Sequence, residues 1–212
     1  CRYILPVSHD EVVHLKKSLL DKMPGAYDDK FAGVRVFETF MIGHPGKKLN
    51  FMGYEIGQFA EWSESRELDW FLLDYERHSQ LKEFIKELNR LYVSYPEIYA
   101  TDGDPQGFEW LIVDDNKNDV FVFERKDGSG RSLIFVLNFS NLTYFGYCVG
   151  IGDGKLSLLL DSDEIRFGGK GTGKDTEITE NPFKGKNRTL SMTVPALSGR
   201  VYMLDDCGEG AE

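Results

Sequence analysis

The sequence predicts an α/β half followed by an all-β half, and three observations carry that expectation. Up to about Asp102, short apolar runs alternate with longer stretches of helical periodicity, the pattern of βα units. From about Gly103 the helical pattern stops. It gives way to short runs rich in Val, Ile, Phe and Tyr, separated by turn residues, as in an antiparallel sandwich whose neighbouring strands pair without helices. The composition, 41% hydrophobic and 13% aromatic over 212 residues, is enough to bury a core in one large or two small domains. The expected division is 1–102 and 103–212.

The first apolar run, Tyr3 to Val7, reads as a short strand. A mixed helical region follows, broken at Pro24-Gly25 and resuming from about Phe31 to Met41. Pro45-Gly46 stops it, since Pro lacks the N–H and Gly allows positive φ. Leu49 to Met52 makes a second strand, closed by Gly53. The clearest helix is expected from an N-cap at Ser79 to Pro96. It places Leu81, Phe84, Ile85, Leu88, Leu91, Tyr92 and Tyr95 on one stripe, with Lys82, Glu83, Lys86, Glu87 and Arg90 facing water.

In the second half the expected strands are Phe108 to Val113, Val120 to Arg125, Ser132 to Phe139, Tyr144 to Cys148, Leu156 to Leu160, Leu190 to Val194 and Arg200 to Leu204. Asp127-Gly128 and Gly130 mark a hairpin turn. A polar, glycine-rich loop, expected to be mobile, runs from Asp163 to Lys186. Two strands cannot make a parallel sheet covered on both faces. Together with the absence of a starting Met, this suggests a truncated chain whose remaining strands precede Cys1. Apolar faces left open by those strands are expected to drive self-association.

Lys plus Arg number 25 against 35 for Asp plus Glu, a formal charge of -10, so neither nucleic acid nor an anionic membrane surface is an expected partner. No apolar run is long enough to span a bilayer. Cys1, Cys148 and Cys207 are too few and too scattered for a disulfide scaffold or a Cys-x-x-Cys metal site, which suggests a reducing, cytoplasmic setting. The sequons at Asn138, Asn141 and Asn187 carry meaning only on a secreted chain.

Gly168 to Asp175 (GGKGTGKD) nearly matches a phosphate-binding P-loop. Asp175 stands where Ser or Thr would hold magnesium, and no apolar helix follows, so a surface loop is expected instead. His9 and His14 are five residues apart and match no zinc signature; on a helix their rings would point about 140° apart. Neither metal nor cofactor is expected. His44 and His78 read as turn and cap residues. In Leu5-Pro6-Val7-Ser8-His9-Asp10, a strand runs directly into two polar residues. Two explanations stand open: an active-site corner at the C-terminal end of a strand, as in α/β barrels, or a helix cap made by Ser8 or Asp10.

The strings SHDEVVH, DKMPG (Asp21–Gly25), PGKKLNFMGYEIGQ (Pro45–Gln58), Glu61-Trp62, LDWFLL (Leu68–Leu73) and GFEWLIVDD (Gly107–Asp115) resemble, in order, the bacterial 1,4-α-glucan (glycogen) branching enzymes of the α-amylase superfamily. The resemblance covers nearly the whole chain apart from the loop near 163–187. It implies the last two βα units of a TIM-type (β/α)8 barrel, from strand seven, followed by a C-terminal antiparallel β-sandwich.

It further implies that His9 and Asp10 grip the sugar in the −1 subsite. The nucleophilic Asp and the acid/base Glu would lie before Cys1, leaving this piece inactive alone. A retaining transfer passes through an oxocarbenium-like state, stabilised by hydrogen bonds to ring hydroxyls. The parent would cleave α-1,4-glucan and pass the chain to a 6-hydroxyl, with glycogen or amylose as partner. Glu55 and Trp62 are weaker substrate-binding candidates. Trp62 and Trp70 serve equally well as packing residues. Leu15 stands where many relatives have Gly, which suggests a local packing change. The competing assignments are another hydrolase or debranching enzyme of the superfamily, or a non-catalytic glucan-binding module.

Overall fold

The computed structural model of the chain describes residues 3, 4, 6–173 and 175–205. Cys1, Cys207, Leu5 of the first expected strand and Lys174 of the glycine-rich string lie outside them. Among the described residues no helix is long and apolar enough to cross a membrane.

The second half is all-β and antiparallel, built from β1 (Phe108–Asp115), β2 (Val120–Lys126), β3 (Arg131–Asn138), β4 (Tyr144–Ile151), β5 (Lys155–Asp161), β6 (Thr176–Thr179), β7 (Arg188–Val194) and β8 (Ser198–Asp205). One sheet runs β1-β2-β3-β8-β5, the other β4-β7-β6. Each of the seven expected strands forms, within a few residues of its expected limits. The hairpin joins β2 to β3, where Gly128 and Gly130 take φ of 85° and 90°, a region L side chains avoid. Polar Thr176–Thr179 carries no alternating apolar signal, yet pairs with β7 as β6. The glycine-rich segment is therefore partly strand.

Side-chain alternation decides the layering. Along β3, Ile134 and Val136 face the second sheet, packed with Val149, Ile151, Leu190 and Met192. Leu133, Phe135 and Leu137 point the other way, into a core shared with the helices. The five-stranded sheet is thus covered on both faces, by the small sheet and by the helical half.

The helices are α1 (Leu19–Lys22), α2 (Tyr27–Gly43) and α3 (Glu76–Ser94). Ser18 caps α1 by accepting from the Asp21 N–H at 3.1 Å, and the Asp29 carboxylate accepts from the Ala26 N–H at 3.0 Å to start α2. Helix α2 packs flat on the large sheet. A Cβ added to Gly43 would stand 2.6 Å from the Phe135 ring, and one added to Gly199 in β8 would stand 2.8 Å from Thr39, so both glycines permit close approach. Helix α3 buries the expected stripe, Leu81, Phe84, Ile85, Leu88 and Leu91; each contributes roughly 1.5–3 kcal/mol.

Several expectations fail in the first half. Tyr3, Ile4, Pro6 and Val7 form no strand, and Leu49 to Met52 run irregularly into a turn. A parallel strand needs neighbours for its N–H and C=O groups, and among the described residues no strand pairs with either segment. The parallel βα units are accordingly not seen. Helix α3 starts at Glu76, one turn before Ser79, whose hydroxyl donates to the Glu76 carbonyl at 2.9 Å instead of capping. His78 is no cap either: it is buried, and its Nδ1 lies 2.7 Å from the Ile56 carbonyl oxygen.

Candidate functional site

Ser8 has extended backbone and leads into one turn of 3-10 helix, His9–Glu11. Its hydroxyl makes no capping bond, and the next helix is capped by Ser18, so the cap explanation finds no bond here. Nε2 of His9 lies 3.0 Å from Oδ1 of Asp10, and the two side chains are 56% and 71% exposed. They form an outward-facing acceptor and ring N–H, able to meet adjacent hydroxyls. The turn beneath them is fixed by Val12, which is 2% exposed and part of the main core.

Two later segments are drawn against this turn. The Tyr54 hydroxyl donates to the Ser8 carbonyl at 3.4 Å, and the Trp62 N–H donates to the Val12 carbonyl at 3.1 Å. Glu55, in the turn after Phe51, folds back so that Oε2 accepts from the Gly53 N–H at 3.1 Å. No direct bond joins Glu55 to His9 or Asp10 among the described residues. The ring of Trp62 is half-buried and packs edge-on against Phe51 at 5.5 Å, with Phe51 6.1 Å from His9. Trp70 is 48% exposed. His9, Asp10, Glu55 and Trp62 therefore lie on segments that the fold ties together, with His9 and Asp10 at the surface.

Two residues that sequence reasoning missed support this corner. Glu38 on α2 is buried, and loss of water, reinforced by the nearby charge of Glu55, pushes its carboxyl up to about 8. Burial likewise raises the Tyr54 hydroxyl, with Glu38 adding to it. Glu61 reaches the loop behind Asp10, where Oε2 accepts from the Leu15 N–H at 3.0 Å and Oε1 from the Lys17 N–H at 2.7 Å. Neither residue had a distinguishing spacing, although Glu61 falls in the Glu-Trp pair of the resemblance.

His14 and Leu15 adopt φ of 58° and 67°, so helical geometry does not apply to the His9–His14 spacing. No group of three His, Cys, Asp or Glu able to hold a metal occurs among the described residues. Leu15 is 94% exposed. With positive φ and its side chain in water, Leu15 holds a backbone conformation that glycine would adopt without strain.

The glycine-rich loop supplies its own anion. Asp163 Oδ1 accepts from the Lys170 N–H at 2.8 Å, Oδ2 from the Thr172 N–H at 2.7 Å, and its carbonyl from the Gly171 N–H at 2.7 Å. Three amides of the loop are thus engaged by one buried residue, two by its carboxylate and one by its carbonyl. Arg200 fastens the far end, with Nη1 donating to the Thr193 carbonyl at 2.7 Å and Nε to Asp161 at 2.9 Å.

Comparison with known proteins follows the same division. The family profile of the α-amylase C-terminal all-β domain matches residues 110–205. Proteins named 1,4-alpha-glucan branching enzyme GlgB match almost the entire chain. The one from Desulfitobacterium hafniense is 46% identical over 94% of this chain, and that from Geobacillus stearothermophilus 44% over 91%. The chain matches the bacterial branching-enzyme family. It spans about a third of each relative, 32% and 31% respectively.

Branching-enzyme likeness thus extends over both halves. Solved structures share the fold. A Nostoc punctiforme debranching enzyme aligns with a TM-score of 0.57 at 18% identity, covering 83% of this chain and 32% of that one. The catalytic module of a glycogen-degrading pneumococcal virulence factor aligns at 0.63 and 14%, covering 89% and 35%.

Proposed function

We propose that this chain is the C-terminal part of a glycogen branching enzyme, residues 1–102 completing a catalytic (β/α)8 barrel from strand seven and the β half following as its C-terminal domain. The observation that carries it is the 41–46% identity to branching enzymes along nearly the full chain. In this assignment the parent cleaves an α-1,4-glucan with retention and transfers the chain to a 6-hydroxyl. Strands at Tyr3–Val7 and Leu49–Met52 would form once neighbouring barrel strands offer pairing partners.

His9 and Asp10 grip the sugar in the −1 subsite. Asp10 as a carboxylate accepts from two adjacent hydroxyls, and the His9 ring N–H donates to another; both bonds tighten as positive charge develops on the ring. Their exposure in this chain supports that role. Glu55 lines the same face, and the half-buried Trp62 contributes an aromatic wall beside Phe51. Glycogen or amylose is the partner, and the cytoplasm the compartment. Exposed Leu49, Met52 and Phe71 favour self-association of the isolated chain.

The test is Asp10→Asn in the intact parent, read as the change in iodine absorbance of amylose. Transfer should drop by roughly 10²–10³ with little change in stability, as when one transition-state hydrogen-bond partner is lost. A fully active variant would remove His9 and Asp10 from the site. The chain by itself should show no branching in the same assay, since bond cleavage needs two carboxylates that this assignment places on earlier strands. Measurable activity from the isolated chain would refute it.

A further inference from the structure

The loop behind His9 and Asp10 is held in an unfavourable backbone conformation. His14, Leu15 and Lys17 all lie in the left-handed region, with φ of 58°, 67° and 69°, and none is glycine. Three such residues within four persist only where the surroundings over-determine them. Here the restraint is one side chain. The two carboxylate oxygens of Glu61 accept from two of the three strained residues, Leu15 N–H at 3.0 Å and Lys17 N–H at 2.7 Å.

Between those two amides, Lys16 reaches back, and its Nζ donates to the Asp10 carbonyl at 2.7 Å. Glu61 is itself located from both sides. Arg66 donates to its carbonyl at 2.9 Å, and the next residue, Trp62, bonds through its N–H to Val12. A continuous set of hydrogen bonds runs from Glu61 through the strained loop to the main chain of Asp10.

We propose that Glu61 is a positioning residue for the His9–Asp10 pair, holding His14, Leu15 and Lys17 in their left-handed conformation so that Lys16 secures Asp10. This rests on the assignment of His9 and Asp10 made above. A carboxylate suits the task because it offers an acceptor oxygen to each of two N–H donors. Glutamine, of equal size, offers one acceptor and turns an NH₂ donor toward the other amide.

Glu61→Gln tests the proposal through two readouts. In the chain, amide hydrogen exchange at Leu15 and Lys17 should accelerate about tenfold while the thermal midpoint hardly moves. In the intact parent, kcat should fall about tenfold with KM for amylose and the pH profile unchanged, because Glu61 orients and does not itself transfer a proton. In the parent, adding Leu15→Gly to Glu61→Gln should restore part of the lost kcat, since glycine adopts positive φ without strain. Unaltered exchange at both amides, or a loss confined to KM, would overturn the proposal. Exchange reports on the loop whether or not the pair contacts sugar. A failed Asp10→Asn prediction is therefore separable from a failure here.

Discussion

Individual residues in this chain depart from the averages that guide sequence reading, and two departures have measurable consequences. Leu15 occupies the left-handed region with its side chain in water, so it incurs backbone strain without burying its apolar surface. Replacing it with glycine removes roughly 1–2 kcal/mol of strain but increases the freedom of the unfolded chain, leaving a net gain of about 0.5–1 kcal/mol. Urea unfolding of Leu15→Gly should show a higher midpoint at unchanged slope. A lower midpoint would mean that the Leu15 side chain contributes packing after all.

Glu38 links burial to pH. Its carboxyl is raised from 4.5 to about 8, so between these values the folded chain keeps a proton that the unfolded chain has released. Its contribution to stability is present in full below pH 4.5 and is lost as pH rises toward and through 8. The slope is on the order of 1 kcal/mol per pH unit. Denaturation at pH 5, 7 and 9 should show stability falling with pH in the wild type and falling less in Glu38→Gln, which stays neutral. Equal slopes in both would locate the effect elsewhere.

Among the elements, legibility followed side-chain pattern. The seven antiparallel strands and the apolar stripe of α3 are legible because their apolar residues form β-rich runs or repeat with a helical period, even where the pairing is distant, as between β3 and β8. Strand β6 was not visible, because Thr176–Thr179 is polar and mostly exposed and exists through its hydrogen bonds to β7. The start of α3 was misplaced by a turn because Ser79 resembles a cap, although the helix reaches back to Glu76 and buries His78 against Phe31. At 3–7 and 49–52 the failure was of another kind. Both segments are apolar enough for strands, but strand formation is a property of a sheet, and no strand among the described residues pairs with them.

The whole molecule has one main core crossing the junction between its halves. Phe31, Val34 and Phe84 from the helices share a cluster with Phe123, Phe135 and Val201 from the large sheet. Buried Arg125 on β2 ties the same junction, donating to Asp102 and to the Gly43 carbonyl, each at 2.7 Å. Such a shared core predicts a single cooperative unfolding transition for the chain, with calorimetric and van't Hoff enthalpies in agreement. Two separated transitions in a calorimetric scan would mean that the halves fold independently.

By itself the sequence determined the antiparallel character of the second half, the helical stripe and the branching-enzyme likeness that singled out His9, Asp10, Glu55 and Trp62. Those features depend on local periodicity or on strings of adjacent residues. Only the tertiary structure decided that the glycine-rich loop closes on Asp163, that Leu15 is strained and that Glu61 stands behind Asp10. Each of these joins groups through space with no sequence period to announce it: Glu61 lies 44 residues from Lys17, yet one carboxylate restrains the backbone there.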